Sequence, residues 1–199
     1  MTQVAIIDSG GANIASLLYA FERLGAVAEL TTDADIIRQS PRVLLPGVGA
    51  ARNAMQRLQD EGLVDVIRHL TQPVLGICLG MQLLCDASEE EDVECLGIVP
   101  GVAKKLSVAD DYPVPNMGWC ATTSAAPHPL LDGIDDGSYF YYVHSYAVPV
   151  SENTLATARH TREFSAVIGK ENFVAAQFHP ERSSKAGACL LQNFLDIPA

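Results

Sequence analysis

The amino-acid sequence predicts an α/β fold: an open, largely parallel sheet with helices on both faces and added antiparallel strands in the second half. The first half alternates short apolar runs with segments whose apolar residues recur at helical spacing, which is typical of parallel strands joined by helices. Short segments rich in Pro and Gly follow, and they indicate hairpins added to the same sheet. Because no linker, repeat or low-complexity segment separates the halves, we expect residues 1–199 to form a single domain.

The elements can be placed in order along the chain. Short apolar runs predict strands at residues 4–7, 27–31, 43–45 and 74–77. Helical spacing predicts a helix from residue 14 to 24 and one long helix from 55 to 70, which Pro73 ends. The second half is expected to contribute strands at 139–143 and 173–178 and a closing helix at 186–195. The acidic run at residues 88–92 is interpreted as a solvated loop.

Composition limits the class of protein. The chain has 48% apolar and 19% charged residues, an ordinary balance for a soluble globular protein, and no apolar stretch reaches the ~18 residues of a membrane span. Residues 1–7 lack the basic segment and long apolar core of a signal peptide, so we expect a cytoplasmic protein. A formal net charge of −11 repels phosphate backbones and anionic lipids, which argues against nucleic acid or a membrane as the main partner.

The cysteines do not indicate a disulfide framework or a structural metal. Five are scattered along the chain without a CxxC pair or a Cys/His spacing typical of zinc, and nothing in the sequence requires a cofactor. Apart from Cys78, we expect each to be a small buried hydrophobic residue; these are Cys85, Cys95, Cys120 and Cys189.

Cys78 stands in the most informative local motif, Gly76-Ile77-Cys78-Leu79-Gly80, which follows a strand and opens a helix. A nucleophile on such an elbow has a strained backbone, and its neighbours two residues away must lack a Cβ for the turn to close. The helix N-terminus also favours the thiolate. The motif therefore predicts a nucleophilic cysteine, although a tight turn with an incidental cysteine would have the same pattern.

A base for this nucleophile is predicted at His179. In an extended segment, residues two apart point to the same side, and Pro180 favours extended geometry at the residue before it. Glu181 can then fix the tautomer of His179 and stabilise its charged form. Together with Cys78 these residues complete the nucleophile, base and orienting group of acyl transfer. The other histidines are interpreted as structural, although His144 could line a pocket.

Acyl transfer also needs two backbone N–H groups directed at the developing oxyanion. Leu79, the residue after the nucleophile, supplies one naturally. Val48 is the candidate for the second, because it lies between Gly47 and Gly49 in a loop at the carboxyl end of another strand. An ordinary glycine turn is the alternative interpretation of this loop, and the two glycines would let the Val48 peptide plane flip.

Taken together, the motifs PGVG, GICLGMQ, YFYYVHSY and QFHPE resemble those of class I glutamine amidotransferase domains. Pro115-Asn116-Met117-Gly118-Trp119 and Tyr142-Val143-His144-Ser145-Tyr146 are similar to the subfamily of glutaminase subunits of imidazole glycerol phosphate synthases. The resemblance covers nearly the whole chain and implies a flavodoxin-like sheet.

The resemblance also implies roles for individual residues. Cys78 would attack the side-chain amide of glutamine, while Gly49, Gln82, Ser145 and Tyr146 would help to hold the substrate. Ammonia would pass through a tunnel into a partner cyclase subunit, a (β/α)8 barrel of the histidine pathway that forms a heterodimer with this chain. The segment at residues 115–119 and Tyr141 would face that partner.

The chain departs from many relatives at one loop, where Asp8-Ser9-Gly10-Gly11-Ala12-Asn13 replaces Asp-Tyr-Gly-x-Gly-Asn. We expect this change to affect the partner face or the tunnel mouth and not the three predicted catalytic residues. Three alternatives to the leading interpretation are open. They are a glutaminase of the pyridoxal phosphate, anthranilate or folate pathway, a non-catalytic binding module of the same fold, and a cysteine peptidase.

Overall fold

The computed structural model describes residues 3–11, 14–110 and 112–198. The elements of its first half are β1 (Gln3–Ile7), α1 (Ile14–Arg23), β2 (Val27–Thr31), α2 (Ala34–Gln39), β3 (Val43–Gly47), α3 (Ala51–Asp60), α4 (Leu63–Arg68), β4 (Val74–Cys78) and α5 (Leu79–Leu84). Those of its second half are β5 (Ala87–Ser88), β6 (Val93–Glu94), β7 (Val102–Lys105), β8 (Asn116–Ser124), β9 (Ser138–His144), β10 (Tyr146–Ala147), β11 (Thr154–Arg159), β12 (Glu163–Lys170), β13 (Phe173–Ala176) and α6 (Ser184–Asp196). No helix within these ranges is both long enough and apolar enough to cross a membrane.

Within the described ranges the main sheet has nine strands, in the order β2-β1-β3-β4-β13-β12-β11-β8-β9. The strands from β2 to β13 in this order pair in parallel, so their carboxyl ends lie at the same edge. The remaining neighbours pair antiparallel and come from the second half of the chain. The predicted fold class, a largely parallel sheet with added antiparallel strands, is therefore confirmed.

Apolar side chains pack on both faces of this sheet. Val4 and Ile6 of β1 belong to one core, which includes Phe21 of α1 and the apolar side of α6. Ala5 and Ile7 belong to the core on the opposite face, to which α2, α3, α4 and α5 contribute. The alternation along β1 follows from the two-residue period of a strand. Helices thus cover the sheet on both faces and hold the carboxyl ends of its parallel strands in place.

The structure differs from the sequence-based prediction at three places. The single long helix at residues 55–70 is wrong, because Gly62 adopts a left-handed conformation (φ 68°) and separates α3 from α4. Helix α2 was not predicted; it is only six residues long and is capped by Asp33, whose carboxylate accepts from the backbone N–H groups of Asp35 and Ile36. The second half also forms a separate sheet with the strand order β10-β7-β5-β6, whereas the sequence predicts that all its strands join the main sheet.

One face of the β8–β9 ribbon is apolar and exposed. Met117 and Trp119 of β8 are 65% and 51% exposed, and Tyr139 of β9 is 61% exposed. The register pairs Trp119 with Tyr141 and Met117 with Val143, so these five residues share one side of the ribbon. We call them the β8–β9 face. Contiguous apolar surface of this kind is typical of an interaction site.

Candidate active site

Cys78 lies at the turn from β4 into α5, with backbone angles φ 54° and ψ −109°. These angles are sparsely populated for any residue with a Cβ, and such strain is usually stored at functional sites. The two glycines of the motif have the steric role that the sequence predicts. A Cβ at Gly80 would collide with the carbonyl of Leu45, and a Cβ at Gly76 would lie 3.0 Å from the side chain of Ala175.

His179 and Glu181 meet at the end of the neighbouring parallel strand. The ring Nδ1 of His179 lies 2.9 Å from Oε1 of Glu181, whose side chain is fully buried. The prediction of an extended segment is correct only for His179 (φ −100°, ψ 95°). Pro180 begins a 3₁₀ turn at Pro180–Arg182, which suits its fixed φ and missing N–H, and this turn brings the carboxylate back to the ring.

The ring of His179 also forms a hydrogen bond with Cys78. Since Nδ1 is bound to Glu181, the nitrogen that faces the sulfur is Nε2. Burial by itself lowers the pKa of His179, but the hydrogen bonds with Cys78 and Glu181 and the charges of both groups raise it well above 6.5. The arrangement therefore favours the imidazolium form of His179. A positive charge next to the sulfur is the setting in which a cysteine becomes nucleophilic.

Cys78 and His179 open into a cavity of about 250 Å³. Six other residues with predicted roles in the site line the same cavity: Val48, Gly49, Leu79, Gln82, Ser145 and Tyr146. Glu181 lies behind His179 and does not line it. The structure therefore brings together every residue that the sequence predicts for the site. The roles of these residues remain predictions.

The loop that departs from many relatives reaches the site from behind. Ser9 is only 3% exposed, and its hydroxyl donates to the carbonyl of Pro46 at 2.7 Å. Gly10 and Gly11 line a small cavity together with His179 and Glu181. Ser9 is therefore buried beside the end of β3, and the effect of the change on the partner face or the tunnel mouth remains a prediction. Ala12 and Asn13 lie outside the described residues.

A buried hydrogen-bond network fixes the far wall of the cavity. The Tyr146 carbonyl accepts from Nδ1 of His144 at 2.8 Å and from Nε2 of Gln82 at 3.1 Å. The amide Nδ2 of Asn116 lies 3.0 Å from Nε2 of His144. Burial lowers the pKa of His144 to about 4, and this neutral ring can donate at one nitrogen while accepting at the other. His144 lines the cavity, as the sequence suggests.

The sequence analysis did not predict two residues that lie in or next to the cavity. Glu90 lines the cavity and accepts from the backbone N–H of Ala51 at 2.9 Å, at the N-terminus of α3, where a carboxylate is favoured. The solvated-loop interpretation is therefore wrong for Glu90 and for Ser88, which is 1% exposed. Gln177 is fully buried next to Cys78. A polar residue inside the apolar run at 173–178 was the signal for it, whereas nothing distinguishes Glu90 from its acidic neighbours.

The remaining cysteines divide into two groups. Cys85 and Cys95 are buried, and burial raises their pKa values to about 12 and about 11, so their thiols stay protonated at neutral pH. Cys120 and Cys189 are only half-buried, so the prediction that they are buried is wrong for this pair. Within residues 3–11, 14–110 and 112–198, no group of three or more His, Cys, Asp or Glu side chains could hold a metal ion.

The chain is similar to known proteins in sequence and in fold. The model of the glutamine amidotransferase class-I family matches residues 5–197. The chain belongs to this family. The family resemblance predicted from the motifs is thereby confirmed, and the family is one of enzymes.

Individual relatives are similar over almost the full length. The chain is 49% identical over 194 residues to the imidazole glycerol phosphate synthase subunit HisH 2 of Legionella pneumophila (strain Lens), which covers 98% of both chains. It is 48% identical over 197 residues to the subunit HisH of Xanthomonas axonopodis pv. citri (strain 306), covering 99% of this chain and 98% of that one. A crystal structure of a glutamine amidotransferase has the same fold, with a TM-score of 0.75, 16% identity and 97% of each chain covered.

Proposed function

We propose that this chain hydrolyses glutamine to glutamate and ammonia and delivers the ammonia to the cyclase subunit of imidazole glycerol phosphate synthase. The observation that carries the proposal is the cavity in which Cys78, on a strained elbow, meets His179 with Glu181 behind it. The similarity to subunits named for that synthase supports the pathway.

In the proposed reaction, the sulfur of Cys78 attacks the side-chain amide carbon of glutamine. The negative charge that develops on the amide oxygen is stabilised by the backbone N–H groups of Leu79 and Val48, both of which border the cavity. The C–N bond then breaks while His179 donates its proton to the leaving nitrogen, which departs as ammonia. The product that remains on the enzyme is a γ-glutamyl thioester.

Water completes the cycle. His179, now neutral, removes a proton from a water molecule that attacks the thioester, and the sulfur of Cys78 leaves as the thiolate. Glutamate is released and the starting ion pair is restored. Glu181 touches no reacting atom; it holds the ring of His179 in one tautomer and stabilises its charged form.

The cavity offers complementary groups to the amino-acid end of glutamine. The carboxylate of Glu90 borders the cavity and suits the α-ammonium group, since opposite charges attract strongly in a partly buried site. Gln82 uses Nε2 on the Tyr146 carbonyl, which leaves its side-chain oxygen as an acceptor for a substrate N–H. Gly49, Ser145 and Tyr146 lie along the same wall.

The partner is proposed to cover the β8–β9 face. Val143 belongs to this face and lines the cavity, and its carbonyl oxygen lies 3.7 Å from the sulfur of Cys78. Pro115, which precedes β8, also lines the cavity. A subunit bound there would lie close to the nucleophile, so that ammonia released at Cys78 could enter it without crossing bulk water. The (β/α)8 cyclase and a heterodimer are therefore part of the proposal.

The test is glutamate release from glutamine, measured for this chain alone and after mixing with the cyclase subunit and its ribonucleotide ligand, with Cys78→Ala as the blank. We expect slow hydrolysis by the chain alone, a large rise on mixing, and no activity in the variant. Brisk hydrolysis that ignores the cyclase would assign the glutaminase to another pathway. Absence of turnover in both cases, or full activity of Cys78→Ala, would refute the proposed chemistry.

A further inference from the structure

Gln177 is a buried polar residue that the proposed reaction does not use. It follows β13, precedes Phe178 and His179, and is 0% exposed. A buried amide is unfavourable unless its polar atoms are hydrogen-bonded, and an apolar side chain of similar length would fill this place in the core more favourably. The hydrogen bonds of the Gln177 side chain should therefore explain why a polar residue is present here.

Both ends of the Gln177 amide are bonded to residues of the candidate site. Its Oε1 accepts from Nε2 of Gln82 at 3.2 Å, and its Nε2 donates to the sulfur of Cys78 at 3.8 Å. Gln177 is thus the single side chain in the described ranges that bridges the proposed nucleophile and a proposed substrate-binding amide.

The directions of these bonds follow from one backbone group. The carbonyl of Tyr146 can only accept, so the group of Gln82 that faces it at 3.1 Å must be the amide nitrogen. That nitrogen also faces Gln177, which must therefore present its oxygen to Gln82. The NH₂ group of Gln177 is consequently the end that points at Cys78. A flipped amide at either glutamine would place two like groups against each other.

We infer that Gln177 is a positioning residue that acts on both halves of the site at once. Through its oxygen it fixes the orientation of the Gln82 amide, and with it the acceptor that Gln82 offers to substrate. Through its nitrogen it donates a hydrogen bond to the sulfur of Cys78, which orients the sulfur and stabilises negative charge that develops on it during attack. The effect of Gln177 on substrate binding through Gln82 rests on the proposed glutaminase function. Its effect on the sulfur of Cys78 does not.

A double-mutant cycle separates this role from a general contribution to folding. In Gln177→Met, which keeps length without polar atoms, we expect KM for glutamine to rise about tenfold, the effect of one hydrogen bond of ~1.4 kcal/mol. In a Gln82→Met background the same substitution should leave KM unchanged within about twofold, because Gln177 reaches the substrate only through Gln82. Effects on KM that multiply independently would overturn the inference.

Alkylation tests the proposed effect of Gln177 on Cys78. The rate at which iodoacetamide modifies Cys78, followed by mass spectrometry of the peptide that contains it, should fall about tenfold in Gln177→Met in both backgrounds. An unchanged rate would refute the hydrogen bond to sulfur. Because alkylation needs no glutamine turnover, this readout tests Gln177 even if the chain proves not to hydrolyse glutamine, an outcome that would count against the proposed function alone.

Ser165→Ala is the matched control. Ser165 is also 0% exposed, and its hydroxyl is bonded to Thr154 at 2.8 Å and to the carbonyl of Pro149 at 2.9 Å, away from the cavity. Its loss should lower stability without changing KM or the alkylation rate. If Gln177→Met does not fold, Gln177→Asn keeps an amide in the core that is too short to reach both partners. It should raise KM and slow alkylation, and wild-type values for both would overturn the inference.

Discussion

The chemistry depends on the conformation of one residue. Cys78 combines a positive φ of 54° with ψ −109°, a backbone conformation that costs on the order of 1–3 kcal/mol for a residue with a Cβ. The surrounding glycines make the turn sterically possible, and the parallel strands on either side of β4 hold it in place. The strain leaves the sulfur at the cavity surface, within reach of the ring of His179.

Glu181 should contribute to rate and not to substrate binding. Glu181→Gln removes the charge that raises the pKa of His179 while keeping the shape of the side chain, so the imidazolium becomes less stable. We expect kcat for partner-stimulated glutamine hydrolysis to fall at least ~100-fold. KM should stay within about twofold, because Glu181 lines no part of the cavity that holds Cys78. Steady-state kinetics of glutamate release measure both quantities.

The exposed carboxylate of Glu163 on β12 offers the control for that prediction, and Glu163→Gln should leave both constants unchanged. A Glu181→Gln enzyme with normal kcat would show that the carboxylate has no part in turnover. A rise in KM with kcat preserved would instead place Glu181 in substrate binding.

At the scale of elements, the loop after β3 needs a residue with a positive φ where it borders the cavity. Gly49 has φ 93°, and a Cβ at this position would meet nothing within 4 Å. The barrier to substitution is therefore purely conformational. Gly49→Ala should disfavour the backbone conformation next to Val48, the proposed oxyanion donor, and loss of one such donor lowers the rate by about 10²–10³. Partner-stimulated kcat is the quantity to measure.

Gly25, in the turn between α1 and β2, provides an unusually close control. It has φ 74° and an equally open Cβ position, so Gly25→Ala should impose a similar backbone strain of ~1–2 kcal/mol far from the cavity. Both variants should lose comparable stability in denaturant unfolding, and only Gly49→Ala should lose turnover. Equal turnover in the two variants would defeat the assignment of Val48 to the oxyanion site.

Local spacing explains which elements could be predicted from the sequence. The elbow at Cys78 was predictable because two glycines at fixed distances leave few other conformations. Strands β1, β3 and β4 were predictable because their apolar runs are short and uninterrupted. The break at Gly62 was not, since apolar residues on both sides continue the same helical period. Strands β5 and β6 have only two residues each, too few to show a period, and they are defined by the pairing of β5 with β6 and β7.

The same limit applies to the site. Cys78, His179 and Glu181 stand in motifs whose residue types and spacing already suggest a mechanism. Glu90 reaches the cavity only because it accepts a hydrogen bond at the N-terminus of α3, 39 residues earlier in the chain, and no local pattern records that contact. Tertiary contacts of this kind become visible only once the sheet has brought the segments together.

At the scale of the whole molecule, two buried histidines respond to pH in opposite directions. His179 has a folded pKa above its unfolded value of 6.5, so its contribution to stability is complete below pH 6.5 and is lost as the pH rises through the folded pKa. His144 has a folded pKa of about 4, so its contribution is complete above pH 6.5 and is lost as the pH falls toward 4. The summed contribution of these two histidines to stability is therefore greatest near pH 6.5.

Acid destabilisation should therefore be traceable largely to His144. With folded and unfolded pKa values of about 4 and 6.5, this residue should lower the free energy of unfolding by ~2 kcal/mol between pH 7 and pH 5. Burial lowers the pKa of His128 and His160 as well, which adds a smaller loss of the same sign. Urea unfolding of wild type and of His144→Gln, which keeps an amide for Asn116 and the Tyr146 carbonyl, measures the difference. The variant should lose ~2 kcal/mol less over this interval, and parallel curves for the two proteins would show that His144 is not the residue that titrates.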